Sequence, residues 1–243
     1  MKSKTILIDG DSICYMCSKE TLEESIAAAD KLVKHMFDRT KATEFIMFLS
    51  KGPYYRHSIN PDYKGQRKPS PLLWLKTLKG YLIERYSAIA LPEIEADDAV
   101  AYYKTLDPTA QICAIDKDVL KQVPGTHYNY YHRKFVTTTE EEAHKWMWLQ
   151  ALMGDPGDNI KGIKGVGPAK AEKVLAEYEP KKYKYAVLSE YCKVYGEIIG
   201  VKKFYDNFYQ VYLLRTEEEI GQFVKDLPIV EPKKIEYEEE EKW

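Results

Sequence analysis

Short apolar runs and longer amphipathic stretches alternate along the first half of the chain. The runs KTILID at 4–9 and EFIMFLS at 44–50 are typical of buried strands, and AQICAID at 110–116 repeats the pattern of a run that ends in an acid. Between the first two runs, apolar residues recur at helical spacing from Thr21 to Arg39. Strands that alternate with helices predict an α/β fold with a mainly parallel sheet.

The remaining pattern predicts a change of architecture near residue 138. A helix over 71–86, a strand at 88–91, a helix that starts at 95–98 and a hairpin at 127–131 and 134–137 continue the first part. Thr139 and Glu142 form a capping box for a helix over 140–153, and the chain beyond is helical at about 181–195 and 200–214. We predict a sheet-containing core over 1–138 and a helical unit over 139–243 that ends in an acidic tail.

Composition limits the class of protein. With 243 residues, 44% of them hydrophobic and 30% charged, the chain can bury a substantial core. No apolar run is long enough for a membrane span, and Asp9 follows too soon for a secretion signal, so a cytoplasmic protein without membrane contact is expected. Cys14 and Cys17 lack a second Cys or His pair for zinc and are expected to be buried thiols. The net charge of −2 is compatible with DNA binding through local basic patches at 64–68 and 161–173.

The segment 51–70 breaks the alternation of strands and helices. Basic residues lie among Tyr54, Tyr55 and Tyr63, and aliphatic residues are almost absent. Such a composition suits a single nucleic-acid strand, since charges follow its backbone while rings stack on its bases. A solvated surface loop would have the same composition, and the residues of this segment alone do not decide between the two.

The stretch GDPGDNIKGIKGVGPAKAEKVL at 154–175 predicts a phosphate-binding element. A glycine-rich turn with Gly162, Gly165 and Gly167 would let the backbone approach a ligand, and Pro168 would open a helix whose free N–H groups attract an anion. The basic residues of this stretch are Lys161, Lys164, Lys170 and Lys173. We interpret it as a clamp on the phosphates of duplex DNA. The alternative is a helix–turn–helix used only for packing.

Acidic residues stand where a parallel sheet would bring them together. Asp9 and Asp116 end two predicted strands, and ligands of such sheets lie beyond the carboxyl ends of the strands. We expect one metal cluster to which the following acids also contribute: Glu95, Asp97, Asp98, Asp155 and Asp158. Two divalent ions about 4 Å apart can hydrolyse a phosphodiester, and Lys64 and Arg67 are candidates to hold the phosphate.

Five motifs follow one another in the order IDGDS, DYKGQR, EADD, IDKD and GDPGDNIKGIKGVGPAKA. This order resembles the 5′-nuclease superfamily of flap endonucleases, 5′-nuclease domains of bacterial DNA polymerases, and phage 5′-to-3′ exonucleases and RNase H enzymes. The resemblance covers residues 4–175, and the phage enzymes fit best. It implies a PIN-like α/β domain with a helical arch segment at about 51–70 and a helix–three-turn–helix (helix-hairpin-helix) module.

The resemblance also implies a role for individual residues. Asp9, with Asp116, would be catalytic as well as metal-binding, and Asp98 would support the cluster. Lys64 and Arg67 would contact the scissile phosphate, and Tyr63 would stack on a displaced base. The metal ligands implied are Asp9, Glu95, Asp97, Asp116, Asp118, Asp155 and Asp158. Duplex contacts would come from Lys68 and from the hairpin residues Lys161, Gly162, Lys164, Gly165, Gly167 and Lys170.

Cofactors and partners follow from the same resemblance. Mg²⁺ is expected, with Mn²⁺ as a substitute, and carbonyls near Ile163 and Val166 would hold K⁺. The substrates would be duplex DNA with 5′ ends, flaps or nicks, and also RNA–DNA hybrids. From its charge, the acidic tail is expected to be solvated, with contact to a replication protein as the alternative.

One position departs from the pattern of the superfamily. Ser50 stands where a further metal-binding aspartate is usual. A water held by Ser50 would replace it, or Asp11 would move in; otherwise one metal would be held weakly and turnover would fall. The departure leaves open a DNA-end- or flap-binding protein with little or no catalysis. A PIN-type ribonuclease acting on single-stranded RNA is a third hypothesis, but it would leave the hairpin at 162–170 unexplained.

Overall fold

A mainly parallel sheet with helices on both faces forms the first part of the computed structural model, which describes residues 4–68, 70–224 and 230–236. In chain order its elements are β1 (Thr5–Asp9), α1 (Asp11–Cys17), α2 (Leu22–Thr40), β2 (Glu44–Tyr54), α3 (Tyr55–Ile59), α4 (Leu75–Tyr86), β3 (Ile89–Glu93), α5 (Ala96–Leu106), β4 (Gln111–Ala114), α6 (Lys117–Gln122), β5 (Gly125–Asn129) and β6 (Lys134–Thr138). The predicted α/β class is confirmed.

The order of strands in the sheet is β3-β2-β1-β4-β5-β6. All neighbours are parallel except β5 and β6, which form the predicted antiparallel hairpin. In the register, Asp9 lies opposite Phe48, and Ser50 lies opposite Leu91. Because the carboxyl ends of parallel strands share one edge, the loops after β1, β2 and β4 open on the same side of the sheet.

Both faces of the sheet are covered by apolar layers. Leu7 and Phe48 pack with α5 on one face, whereas Ile6 and Ile8 pack with α2 on the other. Side chains alternate along a strand, so a strand buried on both faces needs the continuous apolar run seen in β1. The thiols of Cys14 and Cys17 are free and buried, as predicted, and burial raises their pKa values to about 12 and about 11.

Helices dominate the second part of the chain. Its elements are α7 (Glu140–Met153), β7 (Gly154–Asp155), β8 (Ile160–Lys161), α8 (Pro168–Ala176), α9 (Tyr183–Tyr195), α10 (Glu197–Val211), α11 (Glu217–Gly221) and β9 (Lys233–Lys234). The capping box is confirmed, since the Glu142 N–H lies 3.2 Å from Thr139 Oγ1 and the Thr139 N–H lies 2.8 Å from Glu142 Oε2. Pro168 is the first residue of α8, also as predicted.

Two glycines let the short hairpin β7–β8 pack against the end of α7. A Cβ atom on Gly162 would lie 2.1 Å from the backbone carbon of Met153, and one on Gly154 would lie 2.3 Å from the Ile160 oxygen. Gly165 has a φ of +76° and Gly167 is in open space. Gly162 is therefore required for packing inside the protein, whereas Gly165 and Gly167 remain accessible.

Within the segment 51–70, the described residues 51–68 and 70 are more ordered and more buried than the composition predicts. β2 continues to Tyr54, and α3 follows at once with Tyr55 and Arg56 buried. The prediction of exposed rings is wrong for Tyr55 and Tyr63, because aromatic rings with hydroxyl partners are stabilised by burial. The next helix begins at Leu75 rather than at residue 71.

The chain returns to the sheet after α10. Leu213, Leu214 and Ile220 join the apolar layer on the α5 face, and β9 pairs with β2. The division at residue 138 stays a prediction, and residues 237–243 of the acidic tail lie outside the described residues. Within the ranges described, no helix has both the length and the apolar character needed to cross a bilayer.

Candidate metal centre

The predicted acids meet in one cleft at the carboxyl edge of the sheet. Six of them line it together with Lys64 and Arg67, namely Asp9, Glu95, Asp97, Asp116, Asp118 and Asp158. Asp155 lies next to this set, in the adjoining depression that also contains Asp97, Asp118 and Asp158. Residues far apart in the sequence thus share one site.

The strand ends position Asp9 and Asp116. Asp9 is the last residue of β1, and its Oδ1 accepts the N–H of Asp11 at 3.2 Å. Asp116 caps α6 by accepting the N–H of Asp118 at 2.6 Å. Both carboxylates are therefore fixed by the turn that follows their strand.

A buried arginine organises the acids at the start of α5. Arg56 is 2% exposed, and its guanidinium contacts both oxygens of Asp98, at 2.5 and 2.8 Å, and Glu95 Oε2 at 3.2 Å. Three carboxylate oxygens lie within 4.8 Å of one another, one each from Glu95, Asp97 and Asp98. Because Arg56 engages both oxygens of Asp98, this acid is better suited to support the cluster than to bind an ion directly.

Negative charge in the cleft is only partly balanced. Burial and the charges of Asp11 and Asp116 raise the pKa of Asp9 to about 8. Burial and the charges of Glu95 and Asp98 raise the pKa of Asp97 well above its usual range. Among the residues that the structure describes, no lysine or arginine forms an ion pair with Asp9, Asp97 or Asp116.

This donor set fits a hard divalent cation. Mg²⁺ binds oxygen ligands, and a bound ion would offset both the burial and the repulsion that raise the pKa values of Asp9 and Asp97. Glu95 differs, because the charges of Arg56 and Lys64 outweigh the effect of burial and hold its pKa below its usual range. The cleft thus contains both free and neutralised carboxylates.

The acids of the second half reach the cleft through basic partners. Lys117 Nζ lies 3.1 Å from Asp118 and 3.0 Å from Asp155, and so connects the sheet edge to β7. Burial and Asp116 raise the pKa of Asp118 to about 6. For Asp155, contact with Lys117 outweighs burial and lowers the pKa. The predicted approach of the two halves is therefore present, with Lys117 at the junction.

Lys64 and Arg67 lie at the mouth of the cleft. Lys64 Nζ contacts Glu95 and lies 3.6 Å from Asp158, while its backbone N–H donates to the Asp158 carbonyl at 2.9 Å. Arg67 is 57% exposed and pairs with Asp158. Both cations are therefore within reach of an anion that enters the cleft.

Tyr63 does not have the predicted role. Its side chain is 3% exposed, and its hydroxyl lies 2.7 Å from Glu95 Oε2 and 3.2 Å from Asp158 Oδ2. A ring that is enclosed in this way cannot stack on a base. The prediction failed because a tyrosine beside basic residues has the same sequence pattern whether it is exposed or buried.

The predicted duplex-binding lysines lie on the surface. Lys68, Lys161, Lys164 and Lys170 are all exposed. The Ile163 carbonyl accepts the Val166 N–H at 3.0 Å within the turn. The K⁺ site expected at the carbonyls near Ile163 and Val166 stays a prediction. Gly162 is half-buried and its missing side chain accommodates Met153, so a contact of Gly162 with DNA stays a prediction.

Three basic residues of the site were not predicted, namely Arg56, Lys79 and Lys117. Each pairs with an acid of the cleft or of its rim. For Lys117, the position between Asp116 and Asp118 was a usable signal. The pairings of Arg56 and Lys79 join residues of different elements, and no local pattern indicates them.

Comparisons with known proteins give relatives in sequence and in fold, although no protein-family model matches the chain. The chain is 27% identical over 208 residues to a thermostable DNA polymerase I of Thermus thermophilus, covering 73% of this chain and 24% of the polymerase. It therefore spans about a quarter of that relative's length. It is 28% identical over 212 residues to the 5′-3′ exonuclease of Mycoplasma genitalium, covering 72% of each.

The fold is shared with a bacteriophage T5 flap endonuclease, solved as a variant in a pseudo-enzyme–product complex with DNA and metal ions. The TM-score is 0.70 at 16% identity, and the match covers 86% of this chain and 88% of the other. In sequence and in fold, the chain is thus a relative of the flap endonuclease-like 5′-nuclease superfamily, as the order of its motifs predicts.

Proposed function

We propose that this protein is a divalent-metal-dependent 5′ nuclease that hydrolyses phosphodiesters near the 5′ ends of duplex DNA, including flaps and nicks. The observation that carries the proposal is the convergence of acids from both halves of the chain beside Lys64 and Arg67. The exonuclease, polymerase and flap endonuclease relatives support the same reaction class.

The acids divide into two groups in this proposal. Asp9, Glu95, Asp97, Asp116 and Asp118 would hold Mg²⁺ on the sheet side, and Asp155 and Asp158 on the side of β7. When bound, the ions would supply an activated water and stabilise the leaving oxygen. Lys64 and Arg67 would exchange their carboxylate partners for the scissile phosphate and hold it in place.

The duplex would lie along the start of α8. Lys161, Lys164 and Lys170 are exposed around this helix start, where Gly167 leaves the N–H groups of the first turn accessible. Charge of this kind binds any sequence, because it contacts phosphates and not base edges. K⁺ in the turn and cleavage of RNA in RNA–DNA hybrids belong to the same proposal.

A cleavage assay tests the proposal. Duplexes labelled at the 5′ or at the 3′ end, with and without flaps, are incubated with Mg²⁺, with Mn²⁺ and with EDTA. We expect metal-dependent cleavage near 5′ ends. Asp116→Asn should lower the cleavage rate about a hundredfold or more, which exceeds the 10–100-fold typical of residues that only contact a metal ligand. Asp38→Asn on the exposed side of α2 is the matched control. Cleavage that persists in EDTA, or none on any substrate, contradicts the proposal.

A second candidate function rests on Ser50. An end- or flap-binding protein with weak catalysis is favoured by the serine, since the resemblance implies an acid at this position. It predicts tight, salt-dependent binding without cleavage. Ser50→Asp distinguishes the two: a large gain in rate would indicate a weakened metal site in the natural sequence.

A further inference from the structure

Lys79 on α4 closes the end of the cleft that lies beside Ser50. Its Nζ lies 2.7 Å from Asp11 Oδ1 and 3.0 Å from the Ser50 carbonyl oxygen. The Asp11 carboxylate in turn accepts the Ser50 N–H, with both oxygens at 3.1 Å. Asp11, Ser50 and Lys79 all line the same cleft as Asp9.

The Ser50 side chain is engaged elsewhere. Its Oγ accepts the N–H of Ala96 at 2.9 Å and so fixes the start of α5, which carries Asp97. Asp11 is therefore the carboxylate nearest to the Ser50 backbone, and Lys79 neutralises it. Asp9 and Asp97 differ from Asp11, because neither forms an ion pair with a lysine or arginine among the described residues.

We propose that Lys79 is a positioning residue that holds Asp11 out of the metal centre, so that a built-in ammonium replaces one divalent ion at the Ser50 end. The inference rests on the proposed function, because it assumes that the remaining acids bind divalent ions. A fixed ammonium repels a second cation at short range, and its hydrogen bond to Asp11 Oδ1 occupies an oxygen that such an ion would need.

The test is Mn²⁺ binding by isothermal titration calorimetry, on the full chain without DNA. Lys79→Met frees Asp11, and we expect one additional Mn²⁺ per chain or a Kd about tenfold lower, equivalent to about 1.4 kcal/mol. Lys79→Arg keeps the charge and should bind as the natural protein does. The double variant Asp11→Asn/Lys79→Met should lose the gain, because the freed ligand is gone.

Lys76→Met is the matched control, since Lys76 is exposed on the same helix. Thermal unfolding of each variant verifies that it is folded. If Lys79→Met binds Mn²⁺ with unchanged number and Kd, the inference is overturned while the proposed function stands. If the natural protein binds no Mn²⁺, the proposed function fails, and the inference fails with it.

Discussion

Arg56 and Arg67 contact the same group of acids, but burial gives them different roles. Arg56 is enclosed and also donates to the backbone oxygens of Gln210 and Tyr212, so it connects α3, α5 and the end of α10. Arg67 is largely exposed at the mouth of the cleft. Removing the partner of a buried ion pair is costly, whereas an exposed pair contributes little to stability.

Replacing Arg56 should therefore unfold the protein more readily than replacing Arg67. We expect Arg56→Met to lower the free energy of unfolding by about 3–5 kcal/mol, because Asp98 and Glu95 lose their buried counter-charge. Arg67→Met should cost about 0–1 kcal/mol and reduce cleavage instead. Urea unfolding measures both. Equal destabilisation by the two changes would contradict the assignment of a structural role to Arg56.

The carboxyl of Asp9 predicts an unusual dependence of stability on pH. Its pKa is raised on folding to about 8 by burial and by the charges of Asp11 and Asp116. Between about pH 4 and pH 8 the unfolded chain has lost this proton while the folded protein keeps it, so this group makes stability fall as pH rises. We expect lower stability in EDTA at pH 8 than at pH 6, and a smaller difference in Asp9→Asn, measured by urea unfolding. Stability that rises over this range, or an unchanged slope in the variant, would disagree.

The sequence predicted which acids meet, but it did not predict which basic residues neutralise their charge. Acids at strand ends converge by the geometry of any parallel sheet, and Asp9 and Asp116 are therefore predictable. The partner of Asp98 depends on where α3 packs, and α3 lies in a segment whose composition resembles an exposed loop. Arg56 and the burial of Tyr63 could not be deduced for this reason.

At the scale of elements, the hairpin β7–β8 decides where Asp155 and Asp158 lie. Asp155 pairs with Ile160 across the hairpin, and Gly154 pairs with Lys161. The hairpin sits against the last turn of α7, as the Ile163 N–H donates to the Leu152 carbonyl at 2.8 Å. The approach is close enough that only glycine fits at residue 162.

A pair of glycine substitutions tests this element. Gly162→Ala should cost about 1–3 kcal/mol or more, because its Cβ meets backbone atoms of Met153. Gly167→Ala should be well tolerated in stability, since nothing lies within 4 Å of its Cβ. Thermal unfolding measures the difference, and cleavage should fall in Gly162→Ala through displacement of Asp155. A stable, active Gly162→Ala variant would overturn this interpretation of the hairpin.

Element boundaries were predictable where the signal is local. The capping box at Thr139 and the proline at the start of α8 satisfy backbone groups within a few residues, and both are confirmed. The extent of β2 was not predictable, because Lys51–Tyr54 is extended through pairing with β3. Pairing with a strand that is distant in the sequence cannot be recognised from the residues of the segment itself.

For the molecule as a whole, the acid cleft makes stability depend on divalent ions. The repulsion among Asp9, Asp97 and their neighbours is present only when the chain is folded, so an ion that relieves it binds the native state selectively. The sequence predicted the convergence of these acids together with the fold class. The return of the chain to the sheet after α10 was not predicted, since apolar residues at 213–224 suit several packing partners.

Adding Mg²⁺ should raise the melting temperature. At about 100 times its Kd the ion adds about 2.7 kcal/mol, or about 5–10 °C for a chain of this size. The double variant Asp97→Asn/Asp116→Asn should respond far less, whereas Asp38→Asn should respond fully. Differential scanning fluorimetry across millimolar Mg²⁺ makes the measurement. A flat response in the natural protein would argue against a preformed centre.

The return of the chain to the sheet limits how this protein can be divided. Leu213, Leu214 and Ile220 cover apolar side chains around α5, so a fragment ending at residue 138 would expose that layer to water. Arg56 adds hydrogen bonds in the same region, because its guanidinium donates to the backbone oxygens of Gln210 and Tyr212. A protein built in this way would lose the order of its acid cleft when the segment from residue 210 onward unfolds. A protease that removes this segment would disturb carboxylates that are distant in the sequence without cleaving near them.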